Sequence, residues 1–220
     1  MKNLHNALLL KHLLQLKQLG YRYTDLSVSQ QGESELLLPS SMEALKKQAM
    51  DCHLCELSKS RNHVVFGEGN EHAQILFVGE GPGATEDDIG RPFVGRAGDV
   101  LTKMIENVLL VPRSEVYIAN IVKCRPPNNR TPSATEAHTC ISYLQKQIEN
   151  IKPHIVVTLG STAYHYLTGD ESSITQIRGT LQKRDGYTIV PTFHPSYLLR
   201  NPSAKKEAFA DMKLIKSLMR

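Results

Sequence analysis

The sequence predicts an α/β protein of three layers, α/β/α, built on a central four-stranded parallel sheet. Four short apolar runs alternate with stretches of helical periodicity, and this alternation is typical of a parallel sheet covered by helices on both faces. The 220 residues, 40% hydrophobic and 22% charged, suffice for one such domain and a small appendage. In sheets of this kind the working loops lie beyond the carboxyl ends of the strands.

Each predicted strand is a short apolar run: AQILFVG (73–79), EVYIANIV (115–122), HIVVTLG (154–160) and YTIVPTF (187–193). The predicted helices cover 97–110, 133–151, 161–167 and 203–219. Ser133 and Glu136 have the spacing of a capping box, which marks the start of the second helix. This order of elements gathers three loops at one edge of the sheet: GEGPG after the first strand, 120–130 after the second, and FHPSYLLR after the fourth.

Residues 1–48 differ in character and are predicted to form a helical N-terminal extension to a main domain at 49–220. Leucines at 4, 8, 9, 13, 16 and 19 approach helical spacing. Polar residues interrupt this run and no small-residue cleavage site follows it, so we predict an amphipathic helix rather than a signal peptide. Ser40 or Ser41 can cap a second helix that carries Glu43 in its first turn.

Hydropathy and charge restrict the location and the partners of the chain. No segment approaches the roughly 20 apolar residues of a membrane span, so we expect a soluble, cytoplasmic protein with no membrane partner. Residues 172–220 hold nine Lys and Arg against three Asp and Glu, while the rest of the chain holds 17 against 19. A segment of this charge suits contact with a polyanion, although a solvated basic helix has the same composition.

The four cysteines form two pairs, Cys52 with Cys55 and Cys124 with Cys140. A cytoplasmic protein has little use for disulfides, so two paired sets of thiols favour a metal site over four unrelated buried thiols. Zinc and a 4Fe-4S cluster both accept four thiolates, and the spacing does not separate them. No electron partner is evident, which favours a structural role for the metal.

A glycine-rich and acidic loop, GEGPGATEDDIGRPFVGRAG (79–98), follows the first strand. Its glycines would suit a phosphate cradle, but its acids would repel the anion, so a nucleoside triphosphate is not the expected ligand. Three polar candidates converge at the carboxyl ends of the strands, namely Glu80, Asn120 and His194, with Phe93 as an aromatic neighbour. Their convergence predicts a catalytic site at this edge.

These residues resemble those of a known family. GEGPGATEDDIGRPFVGRAG, NIVKCRPPNNR (120–130) and FHPSYLLR (193–200), together with the four cysteines, resemble the family 4 uracil-DNA glycosylases, iron-sulfur members of the uracil-DNA glycosylase superfamily. The resemblance covers residues 49–220. It implies a uracil-DNA glycosylase-like fold and an enzyme that flips uracil out of DNA and hydrolyses its N-glycosidic bond.

The resemblance also implies roles at the reacting base. Glu80 would position or activate the attacking water, and His194 would stabilise the departing uracil anion. Phe93 would stack on the uracil ring and Asn120 would pair with its edge, while Glu86 would exclude thymine. The segment Gly79, Gly81, Pro82 and Gly83 would let the main chain approach the flipped nucleotide. The loop 125–133 lacks the histidine with which some relatives trap the sugar covalently, so turnover by water is expected.

Further roles implied by the resemblance concern DNA and the cofactor. The DNA contacts would come from Asn129 and Arg130, and from Tyr197, Leu198, Leu199 and Arg200, where an apolar wedge would fill the emptied stack. The four cysteines Cys52, Cys55, Cys124 and Cys140 would hold a 4Fe-4S cluster. The partner would be uracil-containing DNA, single- or double-stranded. The protein would bind it as a monomer.

Two other classes of protein fit the same sequence. One is a non-catalytic nucleic-acid-binding module whose four-cysteine metal site only braces the fold. The other is a hydrolase that acts on free nucleotides. Strand scission at uracil after alkaline cleavage of abasic sites distinguishes the glycosylase from both.

Overall fold

The structure is a computed structural model that describes residues 38–219 together with Lys11 and Lys17. The leucine-rich helix predicted near the N-terminus lies outside the described residues, except for Lys11 and Lys17, which are helical and exposed. Residues Leu38–Arg220 form one compact unit. The division of the chain at residue 48 stays a prediction, and a helix at Met42–Met50 runs across that position.

The described strands are β1 (Glu68–Gly69), β2 (Ile75–Gly79), β3 (Tyr117–Asn120), β4 (Ile155–Leu159), β5 (Gln182–Lys183) and β6 (Thr188–Thr192). They form one sheet in the order β1-β3-β2-β4-β6-β5. The four predicted strands, β2, β3, β4 and β6, are parallel. The sequence did not predict β1 and β5, which add antiparallel edges, because two residues are too few to show a strand pattern.

The described α-helices are α1 (Met42–Met50), α2 (Ala84–Ile89), α3 (Arg96–Met104), α4 (Ala134–Ile151), α5 (Ser161–Thr168), α6 (Ile174–Ile177), α7 (Pro195–Arg200) and α8 (Lys205–Leu218). Short 3-10 turns occupy Glu56–Lys59, Arg113–Glu115, Pro127–Asn129 and Pro202–Ala204. The predicted helix 97–110 is interrupted, because α3 continues as a π-helix, Ile105–Leu109, which ends at Leu110 in the left-handed conformation. The amide of Leu110 donates to the carbonyl of Ile105, five residues earlier.

Side-chain caps fix where two of these helices begin. The Ser41 hydroxyl accepts a hydrogen bond from the Ala44 amide at 3.3 Å and so starts α1. At α4 the predicted capping box is confirmed, because Ser133 Oγ accepts from the Glu136 amide and the Glu136 carboxylate accepts from the Ser133 amide. Both starts could therefore be predicted from local sequence.

Helices cover both faces of the sheet, which confirms the three-layer prediction. On one face, buried residues of β2, β4 and β6 pack against α3 and α8 in a single apolar cluster that includes Phe77, Leu101 and Met212. On the other face lies α4, whose Gln147 amide nitrogen is 3.4 Å from the Tyr117 hydroxyl of β3. None of the helices in the described part of the chain is long and apolar enough to cross a membrane.

The register of the parallel strands brings the predicted loops together. Gly79 at the end of β2 pairs with Asn120 at the end of β3, and Leu159 of β4 pairs with Thr192 of β6. The chain leaves these strands at Glu80, Ile121, Gly160 and Phe193, all at the carboxyl edge of the sheet. This edge positions the site described next.

Candidate active site

Asn120 is buried at the centre of the carboxyl edge. The residue is 1% exposed, and its Oδ1 has no hydrogen-bond partner among the described residues. Leaving a buried polar atom without a partner costs about 1 to 3 kcal/mol of folding free energy. This oxygen is therefore available to accept a hydrogen bond from a ligand. Gly79 provides the space, because a Cβ at that position would lie 2.4 Å from Asn120 Oδ1.

Phe93 lies against the same glycine. A Cβ at Gly79 would be 2.6 Å from Cζ of the Phe93 ring, so only glycine at residue 79 admits both side chains. Phe93 adopts a left-handed backbone conformation with φ of 51°, which costs roughly 1 to 2 kcal/mol for a residue with a side chain. Its carbonyl packs against Gly98 of α3, where a Cβ would lie 1.9 Å from the Phe93 oxygen. The backbone of Phe93 is therefore held on the α3 side by close packing.

His194, which follows β6, lies next to Phe93 at the same edge of the sheet. Its ring centroid lies 5.7 Å from that of Phe93, with an angle of 36° between the planes. His194 is also the N-cap of α7, because its Nδ1 accepts a hydrogen bond from the Ser196 amide at 3.1 Å. Since Nδ1 accepts, the proton of the neutral ring is on Nε2.

The charge of His194 follows from its surroundings. Burial, with a smaller contribution from the positive charge of Arg200, lowers the pKa of His194 to about 4, against the opposing effect of Glu86. The imidazole is therefore neutral near pH 7 and can donate one hydrogen bond through Nε2.

Glu80 begins the loop after β2, beside the loop after β3. The Val122 amide donates to the Glu80 carbonyl at 3.2 Å, so the two chain segments stay side by side beyond the strands. The Glu80 carboxylate is half-buried and makes no hydrogen bond or ion pair with another described residue. Tyr166 of α5 is a neighbour that the sequence did not reveal: burial raises its pKa, and the negative charge of Glu80 adds to that effect.

The segment Gly81, Pro82 and Gly83 packs closely against its surroundings. A Cβ at Gly81 would lie 2.7 Å from Val122 Cγ2, and a Cβ at Gly83 would lie 2.7 Å from Glu86 Oε2. Pro82 is buried. This packing keeps the backbone of the segment at the edge of the sheet next to Glu80.

Glu86 contacts the backbone of the segment that leads into α3. Its Oε1 accepts hydrogen bonds from the amides of Val94 at 3.0 Å and Gly95 at 2.9 Å, just before α3. Gly95 is the N-cap of α3, and its amide is one that a helix start leaves without an intrahelical partner. Glu86 therefore fixes the chain immediately after Phe93, and its predicted role in excluding thymine stays a prediction.

The residues of α7 differ in their exposure to solvent. Tyr197 stacks on Phe193 with centroids 5.0 Å apart, and Leu198, only 1% exposed, packs in a small cluster with Phe193. Leu199 is 36% exposed and Arg200 is exposed. This placement favours Leu199 and Arg200, rather than Leu198, as residues that can contact DNA.

The loop after β3 carries the two other residues predicted to contact DNA. Asn129 is exposed, and its Oδ1 accepts from Arg125 Nε at 2.8 Å. Arg130 forms a two-pronged ion pair with Glu136, at 2.8 and 2.7 Å, and thereby joins the capping box of α4. Hydrogen bonding from Arg130, together with the Ser133 amide, lowers the pKa of Glu136 to about 2 against the effect of its burial. In this structure the Arg130 guanidinium serves the start of α4.

All four cysteines line one cavity between α1, α4 and the loop after β3. Cys124 and Cys140 are buried, while Cys52 and Cys55 are partly exposed. Arg61 Nη1 donates to Cys124 Sγ, and the Lys123 amide donates to Cys140 Sγ, each at 3.3 Å. These N–H groups face sulfur, as the donors around a set of thiolate ligands do.

Burial disfavours free thiolates in this cavity. It raises the pKa of Cys140 to about 12 against the charge of Lys123, and it raises the pKa of Cys124 against its hydrogen bond from Arg61. A bound cation is the usual means of holding such sulfurs in the thiolate form. No group of three or more His, Cys, Asp or Glu in the described residues lies close enough together to hold a single metal ion.

Lys123 lies between the cysteine cavity and Asn120. It is 2% exposed, and its Nζ donates to the Asn120 carbonyl at 2.9 Å and to Gln147 Oε1 at 2.7 Å. Burial lowers its pKa to about 8, against the opposing effect of negative charge on Cys140 and Cys124. One buried side chain thus bonds to the backbone of the residue predicted to read the base.

Comparison with known proteins decides the family. The sequence model of the Uracil DNA glycosylase superfamily matches residues 66–213. A type-4 uracil-DNA glycosylase of Thermotoga maritima is 49% identical over 74% of this chain and 85% of its own length. Similar enzymes of Sulfurisphaera tokodaii and Saccharolobus solfataricus are 45% and 42% identical, each over 81% of this chain and over 84% and 87% of their own lengths. The chain belongs to the type-4 uracil-DNA glycosylases.

In this type-4 glycosylase the structure brings several of the sequence-based candidates close together. Gly79, Phe93, Asn120 and His194 meet at the carboxyl edge, with Glu80 beside them. Sequence reasoning missed three residues that contact the backbone of Phe93 or Asn120, namely Gly98, Arg113 and Lys123. Gly98 stood within a quoted motif, GRAG, and a glycine inside a predicted helix is a signal of close backbone approach.

Proposed function

We propose that this type-4 glycosylase removes uracil from DNA by hydrolysing the N-glycosidic bond, which releases free uracil and leaves an abasic site. The observation that carries the proposal is the buried Asn120 amide, whose Oδ1 has no partner among the described residues, beside Phe93 and a neutral His194. This group occupies the carboxyl edge of the sheet, where ligands of such folds bind.

Asn120 reads the base. Uracil presents an N3–H donor next to the O4 acceptor, so Asn120 Oδ1 accepts from N3–H while its Nδ2 donates to O4. Cytosine presents an acceptor at N3 and a donor at C4, which would leave the buried amide with mismatched partners. A site built to hydrogen-bond one pattern rejects the other strongly, by about 10⁴-fold in favourable cases.

Phe93 and His194 serve the leaving group. Phe93 stacks on the flipped ring, an interaction worth about 1 to 3 kcal/mol per base. As the C1′–N1 bond breaks, its electron pair moves onto uracil, and negative charge develops at N1 and O2. The Nε2–H of neutral His194 donates to O2, and a donor of this kind is typically worth about 3 to 4 kcal/mol of barrier.

Glu80 acts at the sugar carbon from which uracil departs. Its carboxylate, which makes no hydrogen bond or ion pair with another described residue, is free to orient a water molecule toward C1′ and to stabilise the positive charge that develops there. The water oxygen forms the new bond to C1′ and its proton passes to the carboxylate. Turnover by water agrees with the absence of histidine from the loop 125–133.

The four cysteines are proposed to hold a 4Fe-4S cluster. Membership of the type-4 family supports this assignment, as do one cavity lined by Cys52, Cys55, Cys124 and Cys140 and N–H donors aimed at two of the sulfurs. When bound, the cluster supplies a structural cross-link. The cysteines then tie the segment after α1 to α4 and to the loop that follows Asn120.

DNA is proposed to lie across the carboxyl edge, held by exposed Leu199 and Arg200 of α7 and by the basic start of α8, Lys205 and Lys206. Leu199 fills the space that the flipped base leaves, and the cations contact phosphate. Single- and double-stranded DNA are both proposed substrates of a cytoplasmic monomer.

Uracil release tests the proposal directly. The protein is incubated with single- and double-stranded oligonucleotides that carry one uracil, and abasic sites are then cleaved with alkali. We expect scission at the uracil, none at cytosine, and a loss of rate of about 100-fold or more for Glu80→Gln at nearly unchanged DNA affinity. Binding without any scission would instead support a nucleic-acid-binding module, and release of uracil from free dUMP alone would support a nucleotide hydrolase.

A further inference from the structure

Arg113 contacts the uracil pocket from behind. It lies in the 3-10 turn Arg113–Glu115, at the opposite end of β3 from Asn120. We propose that Arg113 is a positioning residue that holds Phe93 in its left-handed conformation and so keeps the stacking surface formed before the base arrives. This inference rests on the proposed function, since it assigns Arg113 to the stacking step.

The contacts of Arg113 use both terminal nitrogens fully. Nη1 donates to the Phe93 carbonyl and to Thr102 Oγ1, both at 2.9 Å. Nη2 donates to the Pro92 carbonyl at 2.7 Å and to Glu68 Oε1 at 2.8 Å. The four N–H groups of the two Nη atoms therefore each have an acceptor, in the planar arrangement that only a guanidinium provides.

Two of these acceptors are consecutive carbonyls, those of Pro92 and Phe93. With φ of 51° at Phe93, both oxygens face one guanidinium. A change of Phe93 to an ordinary negative φ would turn its peptide groups, so that both hydrogen bonds could not persist. Gly98 packs against the same Phe93 oxygen, and Glu86 holds the next two amides. The loop is thus fixed on both sides of the ring-bearing residue.

Arg113 is itself fixed by neighbours outside the pocket. Its side chain is 18% exposed and pairs with Glu68, which also pairs with Arg91. Arg91 is a natural control, because its side chain is 61% exposed and its hydrogen bonds go to Glu68 rather than to either loop carbonyl. If the charges of Glu68, Arg91 and Arg113 mattered only electrostatically, both arginines would be involved. If the hydrogen bonds to Pro92 and Phe93 matter, only Arg113 is involved.

A double-mutant cycle separates positioning from general stability. We expect Arg113→Lys and Arg113→Gln to lower kcat/KM for uracil release by about 10- to 100-fold, because lysine cannot bridge the four acceptors and a misplacement of about 1 Å has effects of this size. In a Phe93→Ala background the same substitutions should change kcat/KM less than about twofold, since the group being positioned is gone. Arg91→Gln should stay within about twofold of the wild type.

Other outcomes of the cycle overturn the inference. Equal losses with and without the Phe93 side chain, or wild-type rates for Arg113→Gln together with a slow Phe93→Ala, would show that Arg113 does not act through Phe93. Thr102→Val removes one acceptor of the Arg113 guanidinium and leaves the charge of Arg113 unchanged. This variant replaces Arg113→Gln in the cycle if Arg113→Gln does not fold. It should lower kcat/KM in the same Phe93-dependent way.

Amide hydrogen exchange gives a readout that needs no activity. We expect the amides of Val94 and Gly95 to exchange at least about tenfold faster in Arg113→Gln than in the wild type, and to be unchanged in Arg91→Gln. Unchanged exchange in both variants would contradict the inference even if the enzyme is active. If the wild type releases no uracil but the Val94 and Gly95 amides still exchange faster in Arg113→Gln, the proposed function is refuted. The role of Arg113 in holding the loop then remains.

Discussion

At the residue scale, the site depends on side chains whose polar atoms are held ready for a ligand. Asn120 Oδ1 is buried without a partner among the described residues, and Nδ1 of His194 is occupied by the Ser196 amide, which leaves Nε2–H to donate. Phe93 adopts a backbone conformation that its side chain disfavours. The unpaired Asn120 oxygen and the Phe93 backbone conformation oppose stability, and such features concentrate at functional sites.

The first prediction concerns the amide of Asn120. Asn120→Asp replaces a donor with an acceptor and places a carboxylate in a buried pocket, so the hydrogen bond to uracil O4 is lost. We expect uracil release under single-turnover conditions to slow by about 100-fold or more. Gln145→Glu, the same chemical change at an exposed position of α4, is the control and should have no effect. Equal rates for Asn120→Asp and the wild type would exclude Asn120 from base recognition.

The second prediction concerns the pH dependence that His194 confers. Its pKa in the folded chain is about 4, below the ordinary value of 6.5, so it stays neutral and the rate of uracil release should show no His194 titration between about pH 5.5 and 8. The unfolded chain binds the proton first as pH falls from 6.5 to 4. The stability that His194 contributes is therefore complete above pH 6.5 and decreases toward pH 4.

The pH dependence is measured on the wild type and on His194→Gln, which keeps a neutral donor. A step in the rate near pH 6.5 that disappears in His194→Gln would show that the imidazole titrates at its ordinary value. The assignment of a neutral donor would then be wrong.

At the element scale, strand order and helix starts fix where the functional side chains lie. The pairing of Gly79 with Asn120 places two loops side by side, and α3 begins at the backbone that Glu86 and Gly98 hold next to Phe93. The third prediction tests this contact. Gly98→Ala would usually stabilise a helix by about 1 kcal/mol, but here the new Cβ would lie 1.9 Å from the Phe93 oxygen.

We expect Gly98→Ala to lower the free energy of unfolding by roughly 1 to 3 kcal/mol and to slow uracil release, because Phe93 must move. Denaturant unfolding and the release assay measure the two effects. Gly186→Ala adds the same methyl group where no atom lies within 4 Å. Because Gly186 has a left-handed φ of 84°, this control should itself lower the free energy of unfolding by about 1 kcal/mol, but it should leave the rate of release unchanged. A stabilised and fully active Gly98→Ala would contradict the packing described for α3.

The elements that could be predicted are those with a local signal. The four central strands are continuous apolar runs, and Ser133 with Glu136 forms a capping box that a stretch of four residues suffices to reveal. The π-helix after α3 could not be predicted, because it depends on how Ile105 and Leu109 both reach the core. Arg113 was missed for the same reason: its four acceptors come from three separate segments of the chain.

At the scale of the whole molecule, the cysteine cavity ties together segments that are distant in sequence. Cys52 and Cys55 follow α1, Cys124 lies near the end of β3, and Cys140 is in α4. Sequence spacing indicated that these cysteines form one site but not how they connect to the pocket. That connection is Lys123, which bonds to the Asn120 carbonyl and lies next to Cys124 in the chain.

The fourth prediction concerns the metal. Protein purified without oxygen should contain about four iron atoms per chain, as a 4Fe-4S cluster requires. Cys140→Ser should lose this iron and lower the free energy of unfolding by on the order of 3 to 5 kcal/mol, because the cross-link between α4 and the segment after α1 is lost. Iron analysis and denaturant unfolding measure the two effects. Stoichiometric zinc without iron would contradict the cluster assignment.

Asn120, Phe93 and His194 are proposed to form a preformed pocket that binds uracil. A crystal structure of the protein soaked with free uracil tests it most directly. We predict the ring stacked on Phe93, with N3–H donating to Asn120 Oδ1 and O2 accepting from His194 Nε2. Uracil bound elsewhere, or a pocket that stays empty at saturating uracil with these side chains turned away, would show that these three residues do not form the uracil site.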